Sequence, residues 1–253
     1  MVAAIAVENP WLLAIGVNTL LLGVAYLLPK KLLTPMGYIH AWVLGVLLWG
    51  TLSWPGYLVV LFYFFVGSAV TRIGQTEKET QGIAEGRSGV RGPENVWGSA
   101  LTATVCALGT LVVSGSWSEF LVLGYVASFS TKLSDTCASE VGKAYGKRTF
   151  LITTLQPVAR GTEGAVSLEG TVAGIFASIA IALLAWGLGL ITSLGILWCL
   201  IAAFIATNLE SVIGATLQAK LNFLTNEVVN IINTSIGAVV AILIAWGLIT
   251  VNS

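Results

Sequence analysis

The chain has one aspartate, one histidine, three cysteines and only 9% charged residues, and each scarcity excludes something. Cys106, Cys137 and Cys199 are scattered and two of them lie inside apolar runs, so neither a disulfide framework nor a zinc site is indicated. The sole histidine, His40, sits at the inner end of an apolar run and reads as an interfacial hydrogen-bonding residue rather than a catalytic base. Lysine plus arginine balance aspartate plus glutamate at twelve each, which by itself says nothing of a nucleic-acid partner; none is expected because no basic stripe interleaves with aromatics. No Walker-type Gly-x-x-x-x-Gly-Lys-Ser/Thr and no protein-kinase signature occurs, so a nucleotide site would have to be of another kind. The N-terminus lacks a basic n-region and no Arg- or Ser-rich transit segment precedes the first apolar run, so no cleavable signal is expected.

What abounds is apolar: 56% of the residues are hydrophobic. Several runs, such as Trp11 to Leu28 and Val172 to Ile191, approach or exceed the roughly 20 residues that cross a bilayer. The expected fold class is an all-α, polytopic integral membrane helical bundle, a single transmembrane domain over 1–253. About eight spans are read, near 9–28, 37–53, 55–71, 96–114, 118–133, 171–191, 193–208 and 228–250. Both termini then lie on the non-cytoplasmic side, and the loops 29–36, 72–95, 134–170 and 209–227 are cytoplasmic. Those loops, with Lys132 at a span end, hold all twelve basic residues, as the positive-inside rule requires.

The stretch Thr131 to Gly174 concentrates the chemistry. It carries the lone aspartate, Asp135, and five of the twelve basic residues. Asp135, Ser139, Gly142 and Gly146 are spaced i, i+4, i+7, i+11, on one helix face. Glu163, Ser167, Gly170 and Gly174 repeat that spacing 28 residues later. The carboxylates are hard oxygen ligands suited to Mg²⁺, and Asp135 and Glu163 are expected to converge on it with Glu210 as a third ligand. The hydroxyls can bond a phosphate, while the glycines either admit a ligand or let two helices touch. Lys143, Lys147, Arg148 and Arg160 surround this face as anion-binding charge, or serve topology alone. Asn208 and Glu210 end the seventh span, and Asn226, Asn230 and Asn233 recur at i, i+4, i+7. That amide stripe either bonds neighbouring helices or lines the cavity. In the loop 72–95, residues from Arg87 through Arg91 to Val96 can fold over a phosphate.

These residues resemble a known family. Asp135-Thr136-Cys137-Ala138-Ser139-Glu140-Val141-Gly142-Lys143-Ala144-Tyr145-Gly146-Lys147, Gln156-Pro157-Val158 and Gly161-Thr162-Glu163-Gly164-Ala165-Val166-Ser167 look like the signature of the DUF92 integral membrane proteins, which include phytyl-phosphate kinases of plastids and cyanobacteria. The likeness extends to Arg91-Gly92-Pro93-Glu94-Asn95-Val96, to Glu210-Ser211 with Gly214 and Gln218, and to the Asn-rich start of the last helix. The resemblance implies phosphoryl transfer from CTP, or another nucleoside triphosphate, to phytyl or another isoprenyl monophosphate, with Mg²⁺, feeding tocopherol and related prenyl-lipid synthesis. The implied catalytic residues are Asp135, Glu163 and Lys143. Nucleotide and phosphate contacts fall to Ser139, Gly142, Gly146, Lys147, Arg160, Thr162, Gly164, Ser167, Arg91 and Asn95, with Asn208, Asn226 and Asn230 as polar lining. A bacterial, cyanobacterial inner or thylakoid membrane with a cytoplasmic active face is the expected location. The residues agree with this independently: an attacking oxygen that belongs to an ionised phosphate needs no general base, so a polar face without histidine suffices. Two other readings stand beside it, a CTP-dependent cytidylyltransferase or prenol kinase acting on a lipid head group, and a small-solute transporter. The transporter fits less well, because charge gathers on one side instead of near the midplane.

Overall fold

The computed structural model describes residues 9–218 and 220–252. The expected N-terminal placement of residues 1–8 lies outside the described residues. Helix α1 (Pro10–Leu27) starts where the Asn9 side chain accepts from the Trp11 and Leu12 amides, with proline at the first helical position. Helix α2 (Pro35–Thr71) opens the same way on Thr34, whose hydroxyl accepts from Gly37 at 3.1 Å.

Helix α2 folds back on itself. Ser53 has φ 54° and ψ −161°, and Pro55 removes a backbone donor next to it. A Cβ on Gly37 would lie 2.6 Å from the Arg91 carbonyl, and one on Gly67 would lie 2.9 Å from the Arg91 guanidinium. An unbroken helix would hold those two glycines about 45 Å apart. The two halves are therefore antiparallel, and the break falls in the expected connection 53–56. Trp11 packs on Gly50, Asn18 on Gly45, and Tyr38 donates to the Ala25 carbonyl at 3.1 Å, so α1 runs antiparallel to the first half.

The chain continues through short α3 (Gln75–Thr80), a 3-10 turn (Gly86–Gly89), α4 (Pro93–Gly109), α5 (Ser116–Tyr145), β1 (Thr149–Leu151) and β2 (Ala165–Ser167). It ends with α6 (Leu168–Gly187), α7 (Ser193–Ile213) with a π turn (Gly214–Gln218), and α8 (Asn226–Asn252). The structure is mostly helical, as expected, and refines one boundary. The helix face expected from Asp135 onward is continuous with the fifth span, so α5 runs on to Tyr145 instead of ending near 133. The segment 134–170 also holds one short two-stranded antiparallel sheet, Thr149 opposite Ser167, within this helical fold.

Among the described residues, five helices are long and apolar enough to cross a membrane: α1, α2, α6, α7 with its π turn, and α8. Helix α5 is more polar because it is the central pillar. It packs on α2, α4, α6, α7 and α8, and Tyr125, Val126, Ala127, Phe129 and Leu133 are fully buried. A helix surrounded by protein does not need the apolar outer face that lipid demands. The outer faces of its neighbours carry that requirement, with Leu20, Leu27, Phe65, Val105 and Phe176 all exposed.

Candidate active site

A cavity of about 880 Å³ opens at one end of the bundle, between the ends of α2, α5 and α7 and the starts of α4, α6 and α8. Asp135, Ser139, Gly142 and Lys143 reach it from α5, and Thr162, Glu163, Gly164 and Ser167 from the hairpin. Arg91 and Asn95 come from the start of α4, Asn208 and Glu210 from α7, and Asn226 and Asn230 from α8. Gly146, Lys147 and Arg160 do not line it. Lys147 sits on an outer hollow beside Arg148, and Arg160 bonds the Ala144 carbonyl at 3.3 Å and pairs with Glu77 at 3.5 Å.

The repeated spacing has two structural meanings. From Asp135 to Gly142 it is a true helix face on α5. From Glu163 to Gly174 it is not, because Glu163 lies in a turn and Ser167 ends β2 and caps α6, its hydroxyl accepting from Gly170 at 3.1 Å. The glycines bring backbones together. A Cβ on Gly170 would meet the Ala138 carbonyl at 2.4 Å, and one on Gly174 the Ser134 carbonyl at 2.9 Å, so α5 and α6 touch directly. Gly164 has φ +75°, and a Cβ there would lie 2.5 Å from both Ala215 Cβ and the Ser211 carbonyl. Only glycine meets both conditions.

Two ionic groups organise the cavity. In the first, Lys132 Nζ lies 2.6 Å from Asp135 Oδ2 and 2.6 Å from Asn230 Oδ1. Glu210 stands within interaction range of Asp135, Lys132 and Glu163, and accepts from the Asn233 amide. Three helices, α5, α7 and α8, are thus joined by one charged network. In the second, Glu140 holds Lys78 on one carboxylate oxygen at 2.5 Å and Lys143 on the other at 3.2 Å. Lys78 is 1% exposed and also donates to the Thr71 carbonyl at 2.7 Å, which fixes α3 over the end of α5. Burying an ammonium is costly without such partners.

The rim is built on Arg91 and Arg87. Arg91 donates to the Tyr63 hydroxyl at 2.8 Å and lies against the Tyr63 and Phe64 rings, 5.2 and 5.7 Å from their centroids. Asn95 Oδ1 accepts from the Gly92 amide at 2.9 Å and from Arg87 at 2.7 Å, while Arg87 also pairs with Glu94. A hydrogen bond from its own backbone amide, then one from Arg87, holds the Glu94 carboxyl below its ordinary range. His40 stands apart from the cavity, accepting from Trp97 Nε1 at 2.8 Å, the interfacial bond its position implied.

Sequence reasoning missed Glu140, Lys132 and Lys78 as parts of the site. Lys132 and Glu140 lie three residues before and five after Asp135 on the same helix, so extending that helix would have found them. Lys78 sits in a mixed-charge loop where nothing local marks it as buried. The donors around Asp135, Glu163 and Glu210 are carboxylate and amide oxygens, the hard ligands that Mg²⁺ takes. Among the described residues no three acidic, histidine or cysteine side chains form a ready-made metal cage. Mg²⁺ here would complete its shell with phosphate oxygens and water, its usual habit at nucleotide sites.

The sequence model described as Integral membrane protein DUF92 matches residues 18–238. The chain belongs to that family. An uncharacterized membrane protein of Synechocystis is 70% identical over 92% of this chain and 90% of its own length. The chloroplastic protein VTE6 of Arabidopsis thaliana is 46% identical over 92% of this chain and 71% of its own. An uncharacterized membrane protein of Methanocaldococcus jannaschii is 32% identical over 92% and 95%. No solved structure matches. This DUF92 chain is accordingly an integral membrane protein.

Proposed function

We propose that this DUF92 protein is a prenyl-lipid phosphate kinase that moves the γ-phosphoryl group of CTP, or of another nucleoside triphosphate, to phytyl or another isoprenyl monophosphate. The observation that carries the reading is the composition of the cavity. Acidic side chains (Asp135, Glu163, Glu210) and cationic ones (Lys132, Lys143, Arg91) share one space at the polar end of an apolar bundle. The family resemblance extends the proposal to tocopherol and related prenyl-lipid synthesis, and a relative at 46% identity is chloroplastic.

In this reading an oxygen of the lipid phosphate attacks the γ-phosphorus, the bond to the β-phosphate oxygen breaks, and the nucleoside diphosphate leaves. Mg²⁺, held by Asp135 with Glu163 and Glu210, would neutralise charge on the phosphates. Lys143, steadied by Glu140, and Arg91, steadied by Tyr63, bind phosphate oxygens and orient them. The attacking oxygen is already ionised, so no side chain has to take a proton, consistent with a histidine engaged elsewhere.

The eight-pass topology belongs to the same proposal. Counting α2 as two passes, the far-end turns 53–56, 110–116 and 188–192 carry no lysine or arginine. The cavity end is then cytoplasmic, in a bacterial inner or thylakoid membrane, with both termini on the other side. The test is a mass spectrum of the lipids formed when purified protein, Mg²⁺, CTP and phytyl phosphate are incubated together. Phytyl diphosphate with CDP is the expected outcome. A cytidylylated lipid with released diphosphate would assign nucleotidyl transfer instead, and an unchanged lipid would overturn both.

A further inference from the structure

Resting on that reading, we propose that the substrate's hydrocarbon tail lies in the seam between α6 and α7 and enters the cavity sideways from the membrane, past Ile175 and Phe204. The cavity does not end at its acidic floor. Its wall continues along α7 from Ser211 through Thr207 to Phe204, about 10 Å of helix away from the polar end. The facing wall on α6 is Thr171 and Ile175, which share a helix face at i, i+4. Along that path the lining passes from carboxylates through hydroxyls to an isoleucine and a phenylalanine. An amphiphile with an ionised head and an apolar tail presents the same sequence of chemistry.

The seam is also open to the lipid. Phe204 lines the cavity yet is 47% exposed on the outer face of α7, and Phe176, next to Ile175, is 68% exposed. At this level one side chain belongs both to the cavity wall and to the membrane-facing surface. The neighbouring seam is shut, because Gly170 and Gly174 press α6 directly onto the α5 backbone. Helices α6 and α7 are joined by a short link, 188–192, at the end away from the cavity, which leaves them free to part near it. Where the lining turns from polar to apolar, Thr207 Oγ1 is buried without a hydrogen-bond partner among the described residues.

The experiment uses the full chain in nanodiscs with a geranylgeranyl phosphate analogue that carries a diazirine on its second isoprene unit. Adducts are expected on peptides spanning 171–176 and 204–208, suppressed by unlabelled phytyl phosphate and not by inorganic phosphate. In parallel, Ile175→Trp is expected to lower kcat/KM for geranylgeranyl phosphate relative to dimethylallyl phosphate by roughly tenfold or more, a change in specificity that a general packing defect would not produce. Ile175→Leu is expected to keep the ratio. Phe204→Trp on the facing helix gives a second reading if Ile175→Trp does not fold. Adducts on another helix pair, adducts that phytyl phosphate does not suppress, or an unchanged ratio in the folded tryptophan variants would overturn the tail site. If the protein phosphorylates neither prenyl phosphate, the kinase reading fails and the adducts alone decide the seam.

Discussion

Lys132 and Asp135 are bonded to each other on the same helix face, ammonium to carboxylate at 2.6 Å, with Asn230 closing the third side. The only aspartate of the chain therefore enters the cavity already partnered. If its further role is to hold Mg²⁺, Asp135→Asn is expected to lower turnover about 10- to 100-fold or more and to abolish the ordinary Mg²⁺ dependence. Mn²⁺ is expected to restore part of the activity. A pair that only joined helices would give the reverse pattern, a lowered melting temperature with normal turnover. Kinetics and thermal stability measured on one purified variant separate the two.

Glu140 carries a different burden. It sits between Lys78, which is 1% exposed, and Lys143 at the cavity. Glu140→Gln strands a buried ammonium, a change that costs about 3–5 kcal/mol when one partner of a buried pair is removed. Replacing both buried partners, Lys78→Met with Glu140→Leu, is expected to recover most of that loss, because an apolar pair of similar volume is near neutral. Melting curves of the single and double variants check this, and a double variant as unstable as Glu140→Gln would rule it out.

The apolar spans, the break at Ser53 and many of the polar cavity-facing residues were readable because each rests on a local signal: run length, Ser-Trp-Pro-Gly, or spacing at i, i+4. The polar third of α5 was read as helical but as lying beyond the span, because charge marks a membrane boundary only for helices that face lipid. This helix is walled in by five others, so its charges stay helical beyond the apolar stretch. The second repeat failed because the spacing of Glu163 and Ser167 matches a helix while Gly164, at φ +75°, breaks one. Lys147 and Arg160 illustrate the same limit. Spacing gathers cations around a site, but only the path of the hairpin decides which of them face it.

That division is itself testable. Lys143 lines the cavity and Lys147 does not. Loss of one charge-assisted bond costs about 1.5–3 kcal/mol, so Lys143→Met is expected to raise the nucleotide KM roughly ten- to a hundredfold. Lys147→Met, on the outer hollow, is expected to leave it unchanged. Equal effects at both positions would mean that the hairpin closes differently over bound nucleotide.

The glycines of α6 predict opposite outcomes on one helix. At Gly170 a methyl group would sit 2.4 Å from the Ala138 carbonyl, a backbone atom that has nowhere to go. Gly170→Ala is expected to destabilise by about 1–3 kcal/mol through overpacking. At Gly187 nothing lies within 4 Å, so Gly187→Ala is expected to be neutral or to stabilise by about 0.5–1 kcal/mol through helix propensity. Paired thermal melts decide the point, and a stable Gly170→Ala would show that α5 and α6 are not held at backbone contact.

The eight-pass topology makes the least forgiving prediction, because one extra or missing pass would divide the twelve basic residues between two sides. Ser88 lies in the 3-10 turn over the cavity and Ser116 begins α5 at the far end, both exposed. The three native cysteines are buried, so an engineered thiol would be read against a low background. In sealed, right-side-out membranes an impermeant maleimide is expected to label Ser116→Cys and spare Ser88→Cys, and in inverted vesicles the preference should switch. Labelling of both from one face would place the ends of α5 and the cavity on the same side. A helix of 30 residues, about 45 Å long and fully buried along its middle, cannot satisfy that without leaving the core of the bundle.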